Sequence, residues 1–327
     1  MTMRDPIRVG VFLASYFAAH ENTRAALKTI ERRTELIEEL EFDLLVLGHH
    51  LLSAAKFLQP LSLAAYLAAR TECVKIGLGV YQLPLNNPLA FAEEVATISA
   101  LSHNRLIVGV GAGYRKNEFR AVGISFENRF KRLEEYTTIV RRLLEGETVT
   151  ASGSFGELIN AKVQLATSEV RPEMWMGAFR DIGIRRCARL GISWMAGPEG
   201  SLEILAERVN TYRAAAVEAN VPLPSTMPLV RELYVGESDE QARAEVFPFL
   251  AKQYADYKSW DHQLSIDDLI HRDAVVGSPS TVAKRLNQYR DLGFTDIVVR
   301  SDWPDMDPAL STRSMAILAK HVRPMLI

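Results

Sequence analysis

Short apolar runs rich in β-branched residues alternate along this chain with stretches of helical periodicity, and that alternation restricts the fold more than any other feature. The runs begin near Ile7, Phe42, Val74, Arg105, Met174, Ile192, Leu229 and Thr295. Segments with apolar residues three and four apart lie between and after them: Thr23 to Leu40, Leu61 to Arg70, Leu89 to Leu101, Arg129 to Leu144, Ile182 to Leu190, Leu202 to Ala219, Thr281 to Leu292 and Leu310 to Met325. Repeated strand–helix units of this kind build a parallel sheet. Leu44-Leu45-Val46-Leu47 and Ile297-Val298-Val299 are apolar throughout, as strands covered on both faces are. Eight strands and eight helices predict a (β/α)8 TIM barrel. An open doubly wound sheet would carry a glycine fingerprint after its first strand, and Val11-Phe12-Leu13-Ala14-Ser15 contains no glycine.

The 327 residues exceed the ~250 of a minimal barrel. The surplus is assigned to two insertions: a β-excursion over about 146–172, before the fifth strand, and a polar, mostly helical segment over about 239–273, before the last strand–helix unit. No linker or short repeat interrupts the chain, so residues 1–327 read as a single domain. A net charge of -2 offers no positive field for polyphosphate, which argues against nucleic acid and anionic membranes as partners and for a small-molecule substrate. The longest apolar stretch, Pro60 to Ala69, is about half of the ~20 residues a membrane helix needs. The short run Val9 to Ala14, preceded by Asp5 and Pro6, is a poor signal peptide, and the expected location is the cytoplasm. Cys73 and Cys187 have no pairing or metal-site spacing and read as buried free thiols.

Candidate chemistry gathers at strand ends. Gly109-Val110-Gly111-Ala112-Gly113-Tyr114 fails as a dinucleotide loop, because tyrosine stands where glycine is needed. Alternate glycines at the C-terminal end of a strand instead suggest a floor that a flat ligand approaches, with Tyr114 beside it. Gly48-His49-His50 follows the second strand; neighbouring residues there point to opposite sides, so the histidines do not chelate one metal, and no metal site is expected. His49 is the candidate acid, base or orienting group. Met176-Gly177-Ala178-Phe179-Arg180-Asp181 leads into a helix whose free N–H groups, with Arg180, suit a phosphate monoester. Arg185, Arg186 and Arg189 read as a solvated basic face, and Tyr254, Tyr257 and Trp260 as a helix packing face. Arg300-Ser301-Asp302-Trp303 leaves the last strand either to touch substrate or to terminate the fold. With no nucleophile elbow, HExxH or Walker loop, such a chain is suited to hold a cofactor that carries the chemistry.

These residues resemble the bacterial luciferase-like flavin monooxygenases. The resemblance runs through Glu41-Phe42-Asp43 with Gly48-His49-His50, Leu83-Pro84-Leu85-Asn86-Asn87-Pro88 with Ala92-Glu93-Glu94, and Asn104-Arg105 before the glycine strand. It continues with Glu118-Phe119, Arg185-Arg186-Cys187-Ala188-Arg189-Leu190-Gly191 and Val276-Gly277-Ser278-Pro279. It implies a barrel binding reduced FMN, with His49 matching the first histidine of a Glu-His-His motif and Gly48 standing in place of the glutamate. It also implies a nonprolyl cis peptide at Gly79-Val80 and phosphate binding by Ala178, Phe179 and Arg180 toward Gly183. The function so implied is monooxygenation of a small organic substrate with dioxygen, His49 orienting or protonating the reacting oxygen. Gly79, Val80, Gly111, Ala112, Gly113, Tyr114 and Gly177 shape the coenzyme site in this reading. A separate flavin reductase and a homo-oligomer go with it. Two alternatives share the scaffold: hydride transfer with a deazaflavin coenzyme, and a flavin-binding protein without turnover.

Overall fold

The apolar runs become parallel strands. In the computed structural model of the protein, which describes residues 7–167, 170–255 and 265–326, the strands fall into two compact units. The unit made of Leu13–Glu38 and Leu45–Gly177 carries, side by side in this order, the strand Leu44–Leu47 from Leu45 onward and the strands Lys75–Leu78, Leu106–Gly111 and Glu173–Gly177. Glu173–Gly177 pairs parallel to Leu106–Gly111 with Trp175 opposite Gly109, and Ile76 lies opposite Leu106 on the other side. All four residues of Leu44–Leu47 and all six of Leu106–Gly111 are buried, as runs without a polar face require. The other unit is Met1–Phe12, Glu39–Leu44 and Ala178–Ile327. There Arg8–Leu13, Asp296–Arg300 and Pro228–Val235 run parallel, and Ser193–Met195 joins Pro228–Val235 through a bridge between Ala196 and Leu229.

Helices begin where local chemistry supplies their first hydrogen bonds. Asn87 caps Pro88–Leu101, its side chain accepting from the Leu89 and Ala90 N–H groups; Ser201 caps Leu202–Glu218 and Ser278 caps Pro279–Leu292. Pro88 and Pro279 stand at the first helical position, where the N–H that proline lacks would have had no partner. Gly293, at φ 107°, ends the Pro279–Leu292 helix in the left-handed region.

The strand–helix alternation is the observed α/β fold, with differences of detail. Two further parallel strands are present, Val275–Gly277 paired with Leu233–Val235 and Tyr81–Gln82 paired with Val110 and Gly111; three and two residues are too few for a periodicity to show. The helix Lys116–Ala121 was also not anticipated, being short and largely polar. The last helix is α only over Pro308–Ile317, then widens to a π turn at Leu318–Val322 and tightens to 3-10 at Arg323–Met325. Within the segment expected to be a β-excursion, Val149–Gly153 and Gly156–Ala161 form an antiparallel hairpin, whereas Val163-Gln164-Leu165 is not a strand. The 239–273 segment is helical over Asp239–Ala255 but not simply polar: Ala242, Val246, Leu250 and Tyr254 pack with Tyr234, Leu269, Val276 and Trp303. Tyr257 and Trp260 lie outside the described residues. Cys187 is buried, and burial pushes its thiol up to about 12, but Cys73 is exposed, correcting the expectation of two buried thiols. No helix among the described residues is long and apolar enough to cross a membrane.

Two motif residues act as fasteners. The Arg105 guanidinium donates to the carbonyls of Ala68, Thr71, Val74 and Ser102 and to Thr71 Oγ1, sewing the starts of two strands to the preceding helix end. In the other unit, Asp43 accepts from the Val9 N–H at 2.7 Å and meets Arg323 at 3.3 Å.

Candidate active site

The glycines of the Leu106–Gly111 strand make room for a neighbour in the protein itself. A Cβ at Gly109 would stand 1.9 Å from the Leu78 carbonyl oxygen, and one at Gly111 would stand 2.4 Å from Val80 Cγ2. A Cβ at Gly177 would reach Val80 Cγ1 at 3.1 Å. The open floor anticipated above Gly109 and Gly111 is therefore filled by the end of the adjacent strand, which the missing side chains allow to come close. The Gly79–Val80 peptide is cis, at the position the family resemblance implies. Gly79, Val80, Ala112, Gly113 and Gly177 are partly covered and Tyr114 is exposed, leaving an accessible surface at these strand ends. Gly113 has φ +76°, and a Cβ there would meet Gln82 Oε1 at 2.4 Å, so both its backbone and its surroundings require glycine.

His49 follows the neighbouring strand Leu44–Leu47. Its ring is buried, stacked on Tyr81 with centroids 4.3 Å apart, and Tyr81 stacks in turn on Phe91. The Gln82 backbone N–H donates to His49 Nδ1 at 3.1 Å, and the Gln82 side-chain amide donates to the His49 carbonyl at 2.8 Å. Burial, with the nearby His50, lowers the His49 pKa to about 4 against the opposing influence of Glu118 and a hydrogen bond with Gln59. An Nδ1 that accepts places the proton of the neutral ring on Nε2. His49 is thus a neutral imidazole near pH 7, able to orient by hydrogen bonding and poorly suited to donate a proton.

His50 points the other way, as adjacent residues at a strand end do. Its Nδ1 lies 3.0 Å from Glu118 Oε1 and 3.2 Å from Gln82 Nε2, and its Nε2 lies 3.3 Å from the Tyr114 hydroxyl. Glu118 is fully buried; its Oε1 also accepts from the Leu51 N–H at 3.0 Å. Phe57 and Tyr114 both meet the His50 ring edge-on. Gln82 Oε1 and Glu118 Oε2 are buried without a hydrogen-bond partner. His50, Gln82 and Glu118 were not among the residues singled out for chemistry. The clue was the polar run Arg115-Lys116-Asn117-Glu118 straight after the glycine strand, but only the folded chain brings it to His50.

Ala178, Phe179 and Arg180 belong to the other unit. The Ala178 carbonyl accepts from Trp194 Nε1 at 2.9 Å, and the Phe179 ring rests over Gly197, where a Cβ would come within 2.1 Å of it. A Cβ at Gly183 would crowd Ala178, so glycine lets the helix start close to this loop. Arg180 is exposed at the N-cap of the Asp181–Arg189 helix, and its carbonyl accepts from the Gly183 and Ile184 N–H groups. Arg185 pairs with Glu218 at 3.1 Å on the surface, a solvated role as expected. Arg300 and Trp303 are bound inward: Glu232, fully buried, takes Arg300 Nη1 at 2.8 Å and the Tyr254 hydroxyl at 2.5 Å on Oε1, and Trp303 Nε1 at 2.6 Å on Oε2. That favours a fastening over a substrate contact for the Arg300-Ser301-Asp302-Trp303 segment.

A model of the luciferase-like monooxygenases matches residues 7–296. The chain belongs to that family. Limonene 1,2-monooxygenase of Rhodococcus erythropolis is 25% identical over 96% of this chain and 85% of its own length. An F420-dependent glucose-6-phosphate dehydrogenase of Amycolatopsis mediterranei is 25% identical over 77% of this chain and 81% of its own. Among solved structures, the oxygenating constituent of 3,6-diketocamphane monooxygenase from Pseudomonas putida, in complex with FMN, shares the fold with a TM-score of 0.82 at 18% identity, covering 99% of both chains. The luciferase-like family thus includes FMN and F420 enzymes, and this chain is a luciferase-like oxidoreductase.

Proposed function

We propose that the protein is a monooxygenase on the (β/α)8 scaffold that the family resemblance implies, using reduced FMN and dioxygen to oxidise a small organic substrate. The observation that carries this reading is the seating of Val80 by Gly109, Gly111 and Gly177 beneath a partly open surface of backbone and small side chains. A surface of this shape suits a planar ring, with Val80 as the side chain the ring rests against and Gly79, Ala112 and Gly113 giving it close backbone approach. Tyr114 borders it, and His49 is available to orient through Nε2 as a neutral ring. Within its own unit, the backbone of Ala178, Phe179 and Arg180 with the Arg180 guanidinium is the candidate for binding a phosphate. The flavin supplies electron transfer to dioxygen when bound; the residues of this chain place it, exclude water and handle protons. A separate flavin reductase supplies the reduced coenzyme, and the protein works as a homo-oligomer.

Similarity to an F420-dependent dehydrogenase over 77% of the chain supports a second reading, hydride transfer with a deazaflavin coenzyme. Anaerobic titration with reduced FMN and with F420 separates the two. The expected result is saturable FMN binding, followed on aeration by substrate-dependent oxygen uptake. Tight F420 binding with none of FMN would overturn the oxygenase reading.

A further inference from the structure

The His50 imidazole stands between groups that make opposite demands on it. Glu118 Oε1, as a carboxylate oxygen, only accepts, and the Gln82 amide nitrogen only donates, yet both lie within hydrogen-bond distance of His50 Nδ1, at 3.0 and 3.2 Å. Nδ1 satisfies one of them at a time. With a proton on Nδ1 the ring bonds Glu118, and Nε2 presents its lone pair to the Tyr114 hydroxyl at 3.3 Å. Without that proton Nδ1 accepts from Gln82, and Nε2–H donates to the Tyr114 oxygen. The direction of the Tyr114 hydroxyl is therefore tied to the tautomer of His50, and through it to Glu118.

A hydrogen bond to a carboxylate is stronger than one from a neutral amide, so the Glu118 pattern prevails in the resting protein. Carboxylate, imidazole and hydroxyl then stand in the order of a catalytic triad, where the buried acid fixes the tautomer and steadies the imidazolium. The inner end is closed: Glu118 is fully buried and held by the Leu51 N–H. The outer end is open, since Tyr114 is 39% exposed beside Gly111, Ala112 and Gly113. The other groups around the ring are Phe57, edge-on; Arg115, 4.0 Å from Glu118 Oε1; and the neutral His49.

We propose that Glu118, His50 and Tyr114 form a proton relay, and that Tyr114 rather than His49 exchanges the proton of the reaction. A proton leaving the reacting group enters at Tyr114 Oη as the phenol proton passes to His50 Nε2. The imidazolium then holds one N–H toward Tyr114 and one toward Glu118, whose charge is unchanged, and the reverse sequence returns the proton. No oxidant or reductant is needed for the step. The assignment of Tyr114 to catalysis rests on the coenzyme lying over the Val80 surface; the relay itself does not.

Two measurements test it. In coenzyme-free protein with ¹⁵N-labelled histidine, NMR should show the His50 ring with its proton on Nδ1, shifting toward Nε2–H in Glu118→Ala, where no acceptor is left and Gln82 takes over Nδ1. A resting Nε2–H tautomer, or no change in Glu118→Ala, overturns the relay whatever the coenzyme is. In the loaded enzyme, Tyr114→Phe and His50→Gln should each lower turnover roughly 100-fold, with coenzyme affinity within about threefold of wild type. The double variant should lose no more than either single one, and the pH dependence of turnover should flatten in both, because residues acting as one path are not additive. Independent, multiplying losses or an unchanged pH profile overturn it. Wild-type protein that binds no flavin or deazaflavin overturns the proposed function instead, and the tautomer experiment then decides the relay alone.

Discussion

Two carboxylates, Glu118 and Glu232, are both fully buried, one in each compact unit, and their surroundings differ in kind. Glu232 has partners on both oxygens: Arg300 and the Tyr254 hydroxyl on one, Trp303 on the other. These partners come from the end of the last strand with the segment just beyond it and from the Asp239–Ala255 helix, so one acid ties its own strand to two distant parts of the chain. Glu118 is bound only through Oε1, to a histidine, one backbone N–H and, at 4.0 Å, the Arg115 guanidinium, while Oε2 has no hydrogen-bond partner. Buried polar groups that are fully satisfied hold a fold in one arrangement, whereas an incompletely satisfied one next to a titratable ring signals chemistry. Burial alone does not separate the two roles; the partner list does.

The largest effect expected is from Glu232→Ala, which leaves the Arg300 guanidinium without its carboxylate. Breaking a buried ion pair costs about 3–5 kcal/mol, read as a lower midpoint in denaturant unfolding. Glu118→Gln, which keeps an acceptor at Oε1, should cost less than about 1 kcal/mol in the same experiment; equal losses would erase the contrast between the two acids.

His49 sharpens the comparison on the Glu118 side through pH. Its pKa falls from 6.5 to about 4 on folding, so between those values the unfolded chain binds the proton that the folded one refuses. Stability is then fully present above pH 6.5, declines as pH falls toward 4, and changes no further below that on this account. The loss is on the order of 3 kcal/mol. His49→Asn, which keeps an acceptor near the Nδ1 position, should remove that slope between denaturation curves at pH 7 and pH 5. A slope unaltered by the substitution would assign it to other groups.

Gly111→Ala should overpack the seat of Val80 and cost about 1–3 kcal/mol. Because the intruding Cβ would meet Val80 Cγ2 at 2.4 Å, adding Val80→Ala should recover most of the loss in a double-mutant cycle, and additive losses would contradict the packing. Gly109→Ala meets the Leu78 carbonyl instead, and no side-chain truncation at Val80 should rescue it. Arg180→Ala in the other unit acts on binding rather than on stability: FMN binding should weaken by about 1.5 kcal/mol, measured by calorimetry, with riboflavin much less affected. Equal losses for both ligands would remove the phosphate contact.

Much of the architecture was legible because it rests on local signals. Runs such as Leu44-Leu45-Val46-Leu47 are strands from composition alone, and Asn87-Pro88 and Ser278-Pro279 announce helix starts through cap and proline chemistry. Val275–Gly277 escaped because three residues carry no period, and its parallel pairing with Leu233–Val235 is a tertiary contact. The site was half legible. That His49 and His50 face different surroundings follows from strand geometry, but which of them meets a carboxylate depends on Glu118, 68 residues away from His50.

The order of amino acids by itself determined the α/β alternation, the helix starts and the presence of glycines, histidines and a polar run at strand ends, because each depends on residues within a few positions of one another. Tertiary structure alone decided what those residues do. It filled the space at Gly109 and Gly111 with Leu78 and Val80, made His49 a buried neutral ring, set His50 between Glu118 and Tyr114, and gave Glu232 a complete set of partners. Desolvation and hydrogen-bond partnership depend on where distant segments meet, and no local pattern records that.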